Sequence, residues 1–251
     1  VARFAREIET HLGEASANVE AFLQHSSAIH AVTAHLFLEK SLHEWSTLAD
    51  RRFWWSLARI GQIDAMRTMA GANAAFFSEP RTQQLFNRYA TYNGSNPYRT
   101  PATLNIIPHV EYGIGAYALL DGIYSLPQAM ERRGRELGVE FTYQTEVEEI
   151  TYERGSRRVR GVVVDGQEVR AEVVVSNVDV IPTYERLLRD ERAPLLRRYH
   201  RLEPSSSGLV FYWGIDRSFE QTALHNIFFS SDYPREFAQI FDDHRCPDDP
   251  T

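Results

Sequence analysis

The sequence has one cysteine, Cys246, among 251 residues. A single thiol excludes a disulfide framework and a paired-cysteine metal site within the chain, and it fits a reducing, cytoplasmic compartment. The nine histidines are scattered without the paired spacing of a helical zinc site, so we predict no metal. Charged residues or histidine interrupt every long apolar run, which predicts no bilayer-spanning helix and leaves peripheral membrane contact open.

Positive charge is not in excess, since the formal net charge is −7. Nucleic-acid binding is therefore a poor hypothesis. The sequence also lacks a Gly-x-Gly-x-x-Gly motif, a phosphate-loop lysine and a nucleophile elbow; Gly113-Ile114-Gly115 is the nearest approach to the first. Neither a nucleotide site nor a hydrolase follows from these motifs. What is present is an ordinary globular composition with 43% hydrophobic residues, enough for one large or two smaller domains.

The first 71 residues show apolar positions at helical spacing. "FSEPRTQQLFNRY" then predicts a helix with Ser78 as its cap and Pro80 in its first turn. "TLNIIPHVEY" predicts a strand, and Pro108 places it at a sheet edge or a bulge. "SLPQAMERRGRELG" predicts a helix that begins with a capping box of Ser125 and Gln128.

A left-handed cap at Gly138 is expected to end that helix. Three strand-like segments follow, the last two joined by an Asp165-Gly166 hairpin turn, and the run Val173-Val174-Val175 looks buried on both faces. From Pro182 to about Leu202 the pattern is helical again, and "SSGLVFYWGID" predicts an apolar strand. The fold class is therefore α+β.

Three features are candidates for function. His109 and Glu111 would share one face of a strand and could move a proton or orient a ligand, or they could be an ordinary solvated pair. "DRRFWWSLARI" combines tryptophan and arginine as a lipid-surface helix does, or as a packed aromatic helix does. "YNGSNPY" is a stiff aromatic turn that could line a channel for an elongated apolar ligand, or be a plain loop.

The segment "FSEPRTQQLFNRYATYNGSNPYRTPATLNIIPHVEYGIGAY" resembles the carotenoid desaturases related to bacterial phytoene desaturase. The similarity continues through "TEVEEI", "VVVSNVD", "SSSGLVFYWGID" and "LHNIFFSSDYPREFAQIFDD", so it covers most of the chain from about Phe77 onward. Several blocks in the same order make this a specific signal.

The resemblance implies a flavoprotein that converts C–C to C=C bonds in long polyenes with FAD as electron acceptor. It implies a two-domain, amine-oxidase-like fold in which this chain is an internal fragment. Residues 1–118 and 181–251 would belong to the substrate domain, and residues 119–180 to the FAD-binding domain. The FAD phosphate-binding turn would lie outside the chain, so the fragment alone is not expected to bind FAD or to be active.

The family motifs also imply site residues. On the cofactor side these are Gly122, Val147, Asn177 and Asp179. On the substrate side they are Asn93, Ser95, Pro97 and Tyr98, while His109 and Glu111 become stronger catalytic candidates. One departure is that Leu119-Leu120-Asp121-Gly122-Ile123 stands where the family has Pro-x-Gly-Gly-Met.

The expected partner is a long-chain carotenoid at a membrane surface. The leading hypothesis is desaturation of phytoene or a related polyene, and 3,4-desaturation of a 1-hydroxycarotenoid is a close variant. A non-catalytic polyene- or membrane-binding paralogue is a second class. A flavin amine oxidase is a third, disfavoured because the polyene-family blocks match in order.

Overall fold

The computed structural model describes residues 1–35, 45–153, 155, 158–190, 193, 195–202, 208–223 and 225–251. In chain order its α-helices are Ala2–Leu12 (α1), Ser16–Ala34 (α2), Trp45–Leu48 (α3), Arg51–Ala58 (α4), Met69–Phe76 (α5), Pro80–Asn87 (α6), Ile106–His109 (α7), Ser125–Glu136 (α8), Val180–Pro182 (α9), Leu196–Tyr199 (α10) and Tyr233–Phe241 (α11). The strands are Val147–Tyr152 (β1), Val159–Val164 (β2) and Gln167–Arg170 (β3). Tighter 3-10 turns occupy Ile60–Ile63, Arg88–Asn93 and Ala102–Asn105, and wider π-helical turns occupy Val110–Ile114 and Thr183–Leu187.

The chain divides into two compact units. Unit 1 comprises Val1–Tyr117 and Ser205–Thr251, and unit 2 comprises Ala118–Pro204. The mixture of helix and sheet confirms the α+β class. The assignment of residues 1–118, 119–180 and 181–251 to substrate and FAD domains stays a prediction.

The core of unit 1 is aromatic. Phe22 of α2 lies at the centre, with ring centres 5.0 Å from Phe77 and 4.6 Å from Phe86, and the latter two rings stack at 4.8 Å. Apolar residues recur along α2 at intervals of three and four, so one face of this helix is buried against α1, α5 and α6. The predicted helical character of the first 71 residues is confirmed for the described part of that segment.

Helix α6 confirms the predicted start at Pro80 but not its cap. Glu79, not Ser78, is the N-cap, and its carboxylate accepts the backbone N–H of Arg81 at 3.4 Å. Ser78 has another partner, because its own N–H donates to Glu14.

The predicted strand "TLNIIPHVEY" is wrong. Residues 102–114 form consecutive helical turns. Pro108 does not prevent this, because it lies in the first turn of α7, where a backbone N–H has no intrahelical partner to lose. The N–H of His109 instead donates to the side chain of Ser26 at 2.9 Å.

Unit 2 contains an antiparallel sheet in the order β1-β2-β3. The hairpin between β2 and β3 is confirmed, because Asp165 and Gly166 both have positive φ, as a type I′ turn requires. In α8 the C-terminal prediction is also confirmed, since Gly138 has φ +85° and its N–H donates to the carbonyl of Arg135.

Other predictions for unit 2 are wrong. The capping box of α8 does not form, because the helix has Tyr124 as N-cap and the Ser125 hydroxyl donates to the carbonyl of Gly122 at 2.7 Å. The run Val173-Val174-Val175 is not a buried strand, since Val173 is 77% and Val175 is 88% exposed. The helical prediction for 182–202 holds in part, through α9, the turn after it and α10.

The predicted strand "SSGLVFYWGID" in unit 1 is also wrong for its described residues, 208–216. They are irregular, and their large side chains are exposed. A strand needs a neighbour to pair its backbone, and none of the described residues supplies one to this segment.

Candidate functional site

The segment "RYATYNG" of unit 1 forms a tight helical turn that ends at Gly94. Gly94 has φ +60°, the left-handed conformation that glycine adopts without steric cost. This reversal lets the N–H of Ser95 donate back to the carbonyl of Ala90 at 3.1 Å. The turn is therefore compact, and it places Arg88 and Tyr92 next to the π-helical turn that carries Glu111.

Arg88, Tyr89, Tyr92 and Glu111 form a polar and aromatic group, here called the Arg88 cluster. The guanidinium carbon of Arg88 lies 4.5 Å from the centre of the Tyr89 ring, and its Nη2 donates to the Tyr89 hydroxyl at 3.2 Å. The same Nη2 is 3.8 Å from Oε1 of Glu111, whose other oxygen accepts the Tyr92 hydroxyl at 3.3 Å. A cation, a carboxylate and two phenols thus meet in one place.

Burial has opposite effects within the Arg88 cluster. It lowers the pKa of Arg88, but the neighbouring Tyr89, Tyr92 and Glu111 outweigh it and hold that pKa above its ordinary value. Burial is the main reason why the pKa of Tyr89 is raised. At neutral pH the cluster therefore contains a charged guanidinium and a neutral Tyr89 phenol.

The cluster borders a cavity of about 730 Å³ in unit 1. Its lining residues are Arg88, Thr91, Tyr92, Asn93, Gly94, Gly208, Ile227, Tyr233, Glu236, Phe237, Ile240, Phe241 and Thr251. Helix α11 supplies much of the apolar wall, and the turn that begins at Arg88 supplies much of the polar side. A cavity of this size, lined by apolar and polar groups together, is typical of a small-molecule site.

The predicted substrate residues lie in different positions around this cavity. Asn93 lines it directly, and the Ser95 hydroxyl donates to the carbonyl of Asn93 at 3.3 Å. Pro97 is buried, and its carbonyl accepts the N–H of Ala70 at 3.0 Å, which joins the turn to α5. Only Asn93 of these three can touch a ligand in the cavity, while Ser95 and Pro97 support the turn.

Tyr98 packs against the helix that forms the apolar wall. Its ring meets Phe237 edge to face, with ring centres 6.2 Å apart. Burial raises the pKa of Tyr98 to about 12, with Asp232 adding to the shift and a hydrogen bond to Asn87 opposing it. Tyr98 is therefore a neutral phenol that packs against α11 and does not line the cavity itself.

His109 and Glu111 do not share one face, because the backbone that carries them is helical and not extended. The His109 ring lies 4.7 Å from the His30 ring, and burial, followed by the charge of His30, lowers the pKa of His109. Glu111 instead contacts Tyr92 and Arg88. Glu111 thus contacts two residues that line the 730 Å³ cavity, whereas His109 lies against α2, so a shared proton shuttle loses its geometric basis.

Three buried asparagines form a hydrogen-bonded network that the sequence did not predict. Asn73 donates to Asn87 at 2.8 Å, and Asn105 donates to Asn73 at 3.0 Å. The Ser26 hydroxyl donates to the carbonyl of Asn105 and accepts the N–H of His109. These hydrogen bonds fix the positions of α2, α5, α6 and α7 relative to one another. An isolated asparagine carries no periodic signal, so only a three-dimensional structure shows the connection.

The predicted cofactor residues all lie in unit 2. Gly122 has φ +78°, Val147 begins β1 opposite Val164, Asn177 is exposed, and Asp179 accepts the N–H of Ile181 at 3.0 Å as the cap of α9. A dinucleotide needs a glycine-rich turn between a strand and a helix to hold its phosphates. The described residues of unit 2 contain no such turn, so they do not by themselves fit a complete dinucleotide.

Within the described ranges, no group of three or more His, Cys, Asp or Glu side chains is placed to hold a metal ion. Nor is any helix among the described residues long and apolar enough to cross a membrane.

Comparison with known proteins identifies the family. The profile described as flavin containing amine oxidoreductase matches residues 18–246. The chain is 40% identical over 230 residues to a 1-hydroxycarotenoid 3,4-desaturase from a Flavobacterium species, covering 92% of this chain and 46% of that protein. It is 38% identical over 237 residues to a 4,4'-diapolycopene oxygenase from a Methylomonas species, covering 94% of this chain and 46% of the relative.

A third relative is a zeta-carotene-forming phytoene desaturase from Myxococcus xanthus, 39% identical over 196 residues, which are 78% of this chain and 37% of that protein. The chain thus spans about half the length, or less, of these curated relatives. The family match indicates an amine-oxidase-like fold. This chain belongs to the carotenoid desaturase family of flavin-containing amine oxidoreductases.

Proposed function

We propose that this chain is the central part of an FAD-dependent carotenoid desaturase, which removes two hydrogens from a CH–CH unit of a long polyene. The observation that carries this proposal is the 730 Å³ cavity, because the part of the family segment from Arg88 to Gly94 forms one side of it and the apolar residues of α11 form the other. The apolar residues of α11 give the hydrocarbon part of a polyene a surface to pack against.

The proposed division of labour follows the two units. Unit 1 binds and orients the polyene through Asn93, Tyr92 and the α11 wall. Unit 2 contributes to the FAD domain, with Gly122, Val147, Asn177 and Asp179 bordering the cofactor in the full-length protein. When bound, FAD supplies the oxidising power and accepts two electrons and the equivalent of two hydrogens as the C=C bond forms. The phosphate-binding turn is proposed to come from outside this chain.

Phytoene and 1-hydroxycarotenoids are both candidate substrates. The relatives named for phytoene and for 1-hydroxycarotenoid are 39% and 40% identical, so the identity alone does not separate the two substrates. The test is to incubate the full-length, flavin-loaded protein with each carotenoid in lipid vesicles and to follow new double bonds by absorption and chromatography. Flavin-loaded protein that converts neither carotenoid would refute the proposal.

A lipid surface is the proposed partner that delivers such substrates. Trp54 and Trp55 of α4 are 56% and 44% exposed, and the guanidinium of Arg59 lies 4.1 Å from the centre of the Trp55 ring. Exposed tryptophan rings beside arginine suit the boundary between acyl chains and headgroup phosphates. This exposure favours the lipid-surface interpretation of "DRRFWWSLARI" over a packed aromatic helix.

A non-catalytic polyene-binding protein is the second candidate. Asp121 favours it, because a carboxylate stands where the family has a glycine beside the flavin. Stoichiometric polyene binding without conversion, by protein that retains flavin, would support this second function. Replacement of Asp121 by Gly should then restore conversion if the carboxylate is the cause.

A further inference from the structure

Arg88 has a buried donor without a partner. Its side chain is 17% exposed, and its Nε has no hydrogen-bond partner among the described residues. The Nη2 atom is engaged with the Tyr89 hydroxyl and lies near Glu111. The Nε atom is fully enclosed, but a guanidinium carries five N–H donors, and Arg88 lines the 730 Å³ cavity with the part of its side chain that stays exposed.

A pure hydrocarbon has no acceptor for the N–H groups of Arg88. Filling the cavity with hydrocarbon would remove water from Arg88 and return no acceptor, which weakens binding. A ligand with an oxygen at the end that meets Arg88 would accept its N–H groups and place the rest of its length against Ile227, Phe237 and Ile240. The mixed wall therefore fits a polyene with one polar end.

The charges of the Arg88 cluster favour a ligand whose polar end is neutral. Glu111 lies 3.8 Å from Arg88 and already offsets its positive charge. A ligand carboxylate would meet repulsion from Glu111, whereas a hydroxyl would not. A hydroxyl can also donate its own hydrogen, and Asn93, which lines the same cavity, has a side-chain carbonyl that can accept one.

We propose that Arg88 is a specificity-determining residue that hydrogen-bonds a hydroxyl group at the end of the polyene, so that the protein prefers hydroxylated carotenoids to their unsubstituted counterparts. This inference deepens the proposed function and rests on it. It assigns Arg88 to binding and not to the chemical step.

The test is equilibrium binding to the full-length, flavin-loaded protein, measured by quenching of its tryptophan fluorescence. Three polyenes of matched length are compared: a 1-hydroxylated carotenoid, the unsubstituted hydrocarbon and a polyene that ends in a carboxylic acid. We expect the hydroxylated ligand to bind about tenfold to a hundredfold more tightly than the hydrocarbon, the range for a hydrogen bond to a charged group. Arg88→Met should reduce this ratio to near one, while Arg88→Lys should retain part of it.

Arg81→Met is the matched control, because Arg81 is exposed on α6, pairs with Glu79 and does not line the cavity. It should leave the ratio unchanged. Equal binding of hydroxylated and unsubstituted ligands by the wild-type protein would overturn the inference without any variant, and so would tightest binding of the acid. An unchanged ratio in folded, flavin-loaded Arg88→Met would overturn it too. Failure of the proposed function is a separate result, namely no conversion of any carotenoid.

Discussion

The carboxylate of Glu14 accepts the backbone N–H of Ser78 at 2.8 Å across 64 positions of sequence. The same oxygen accepts the N–H of Glu79 at 2.8 Å, and the other oxygen accepts the side-chain amide of Asn18 at 2.6 Å. Glu14 is fully buried. A carboxylate from the turn between α1 and α2 thus satisfies two backbone donors at the start of α6, the helix that leads into the Arg88 cluster.

Glu14→Ala should therefore lower the free energy of unfolding by about 1–3 kcal/mol, because two backbone N–H groups and one side-chain amide would lose a fully buried acceptor. Urea denaturation followed by circular dichroism measures the change. Glu9→Ala, at an exposed position of α1, is the control and should change stability by less than about 0.5 kcal/mol. A Glu14→Ala protein as stable as that control would show that the contact contributes nothing.

Features set by local backbone chemistry could be predicted from the sequence. Gly138, Asp165 and Gly166 adopt the positive φ values that their positions in cap and turn motifs require. The first helix of the family segment begins at Pro80, because the fixed φ of proline suits the first position of a helix. These signals succeed because few residue types tolerate the conformations involved.

Features that depend on distant partners could not be predicted. Val173 and Val175 have side chains typical of strands but no paired strand among the described residues. The apolar segment around Pro108 is helical, and its backbone is held by hydrogen bonds of Ser26 to Asn105 and His109. The site shows the same limit. The family motif drew attention to Asn93 and Glu111, whose roles stay predictions, whereas Arg88 gave no signal because an isolated arginine has no pattern.

Asp64 should make stability depend on pH. Its two oxygens accept Nε and Nη2 of Arg67 at 2.8 and 2.6 Å, and Nε2 of His25 lies 3.3 Å away. The hydrogen bond from Arg67 is the main reason why the pKa of Asp64 lies below its ordinary value, although burial opposes the shift. A carboxyl group whose pKa is lowered by folding stabilises the protein above its unfolded pKa, and this contribution is lost as the pH falls.

Asp64→Asn should accordingly reduce stability by about 0.5–1 kcal/mol at pH 7, with the difference shrinking as the pH falls below about 4, the ordinary Asp pKa. Thermal unfolding at a series of pH values measures this. Asp216→Asn, at an exposed position, corrects for the loss of one negative charge. A stability difference that stays constant from pH 7 to pH 3 would contradict the prediction.

Gly161 should be essential for the sheet of unit 2. It pairs with Thr151 on one side and Arg170 on the other, and an added Cβ would overlap the carbonyl oxygen of Val169. Gly161→Ala should therefore push β3 away and destabilise the sheet by about 2–4 kcal/mol. Hydrogen exchange should then accelerate at the amides of residues 167–170.

Gly61→Ala is the control for that substitution, because a Cβ at Gly61 meets nothing within 4 Å. It should leave exchange in the sheet unchanged. Unaltered exchange of β3 in Gly161→Ala would show that the sheet tolerates the added methyl group, and that the close approach of the two strands is not required.

The aromatic surface of α4 should bind lipid. Trp54 and Trp55 keep a large part of their rings exposed, and the indole N–H of Trp54 is satisfied by the carbonyl of Leu48 at 2.9 Å. Insertion of these rings into a bilayer interface would remove apolar surface from water without breaking that hydrogen bond. Removal of both rings should weaken vesicle binding at least about tenfold, since each 1.4 kcal/mol of lost burial corresponds to one factor of ten.

Sedimentation of the double variant Trp54→Ala, Trp55→Ala with vesicles tests this expectation. Vesicles containing anionic lipid should bind the wild-type protein more tightly than neutral ones, because Arg51 and Arg52 are exposed on the same helix, and added salt should reduce that difference. Tyr143→Ala removes an exposed aromatic ring from unit 2 and serves as the control. If the double variant and the control bind vesicles equally well, α4 does not contact the lipid.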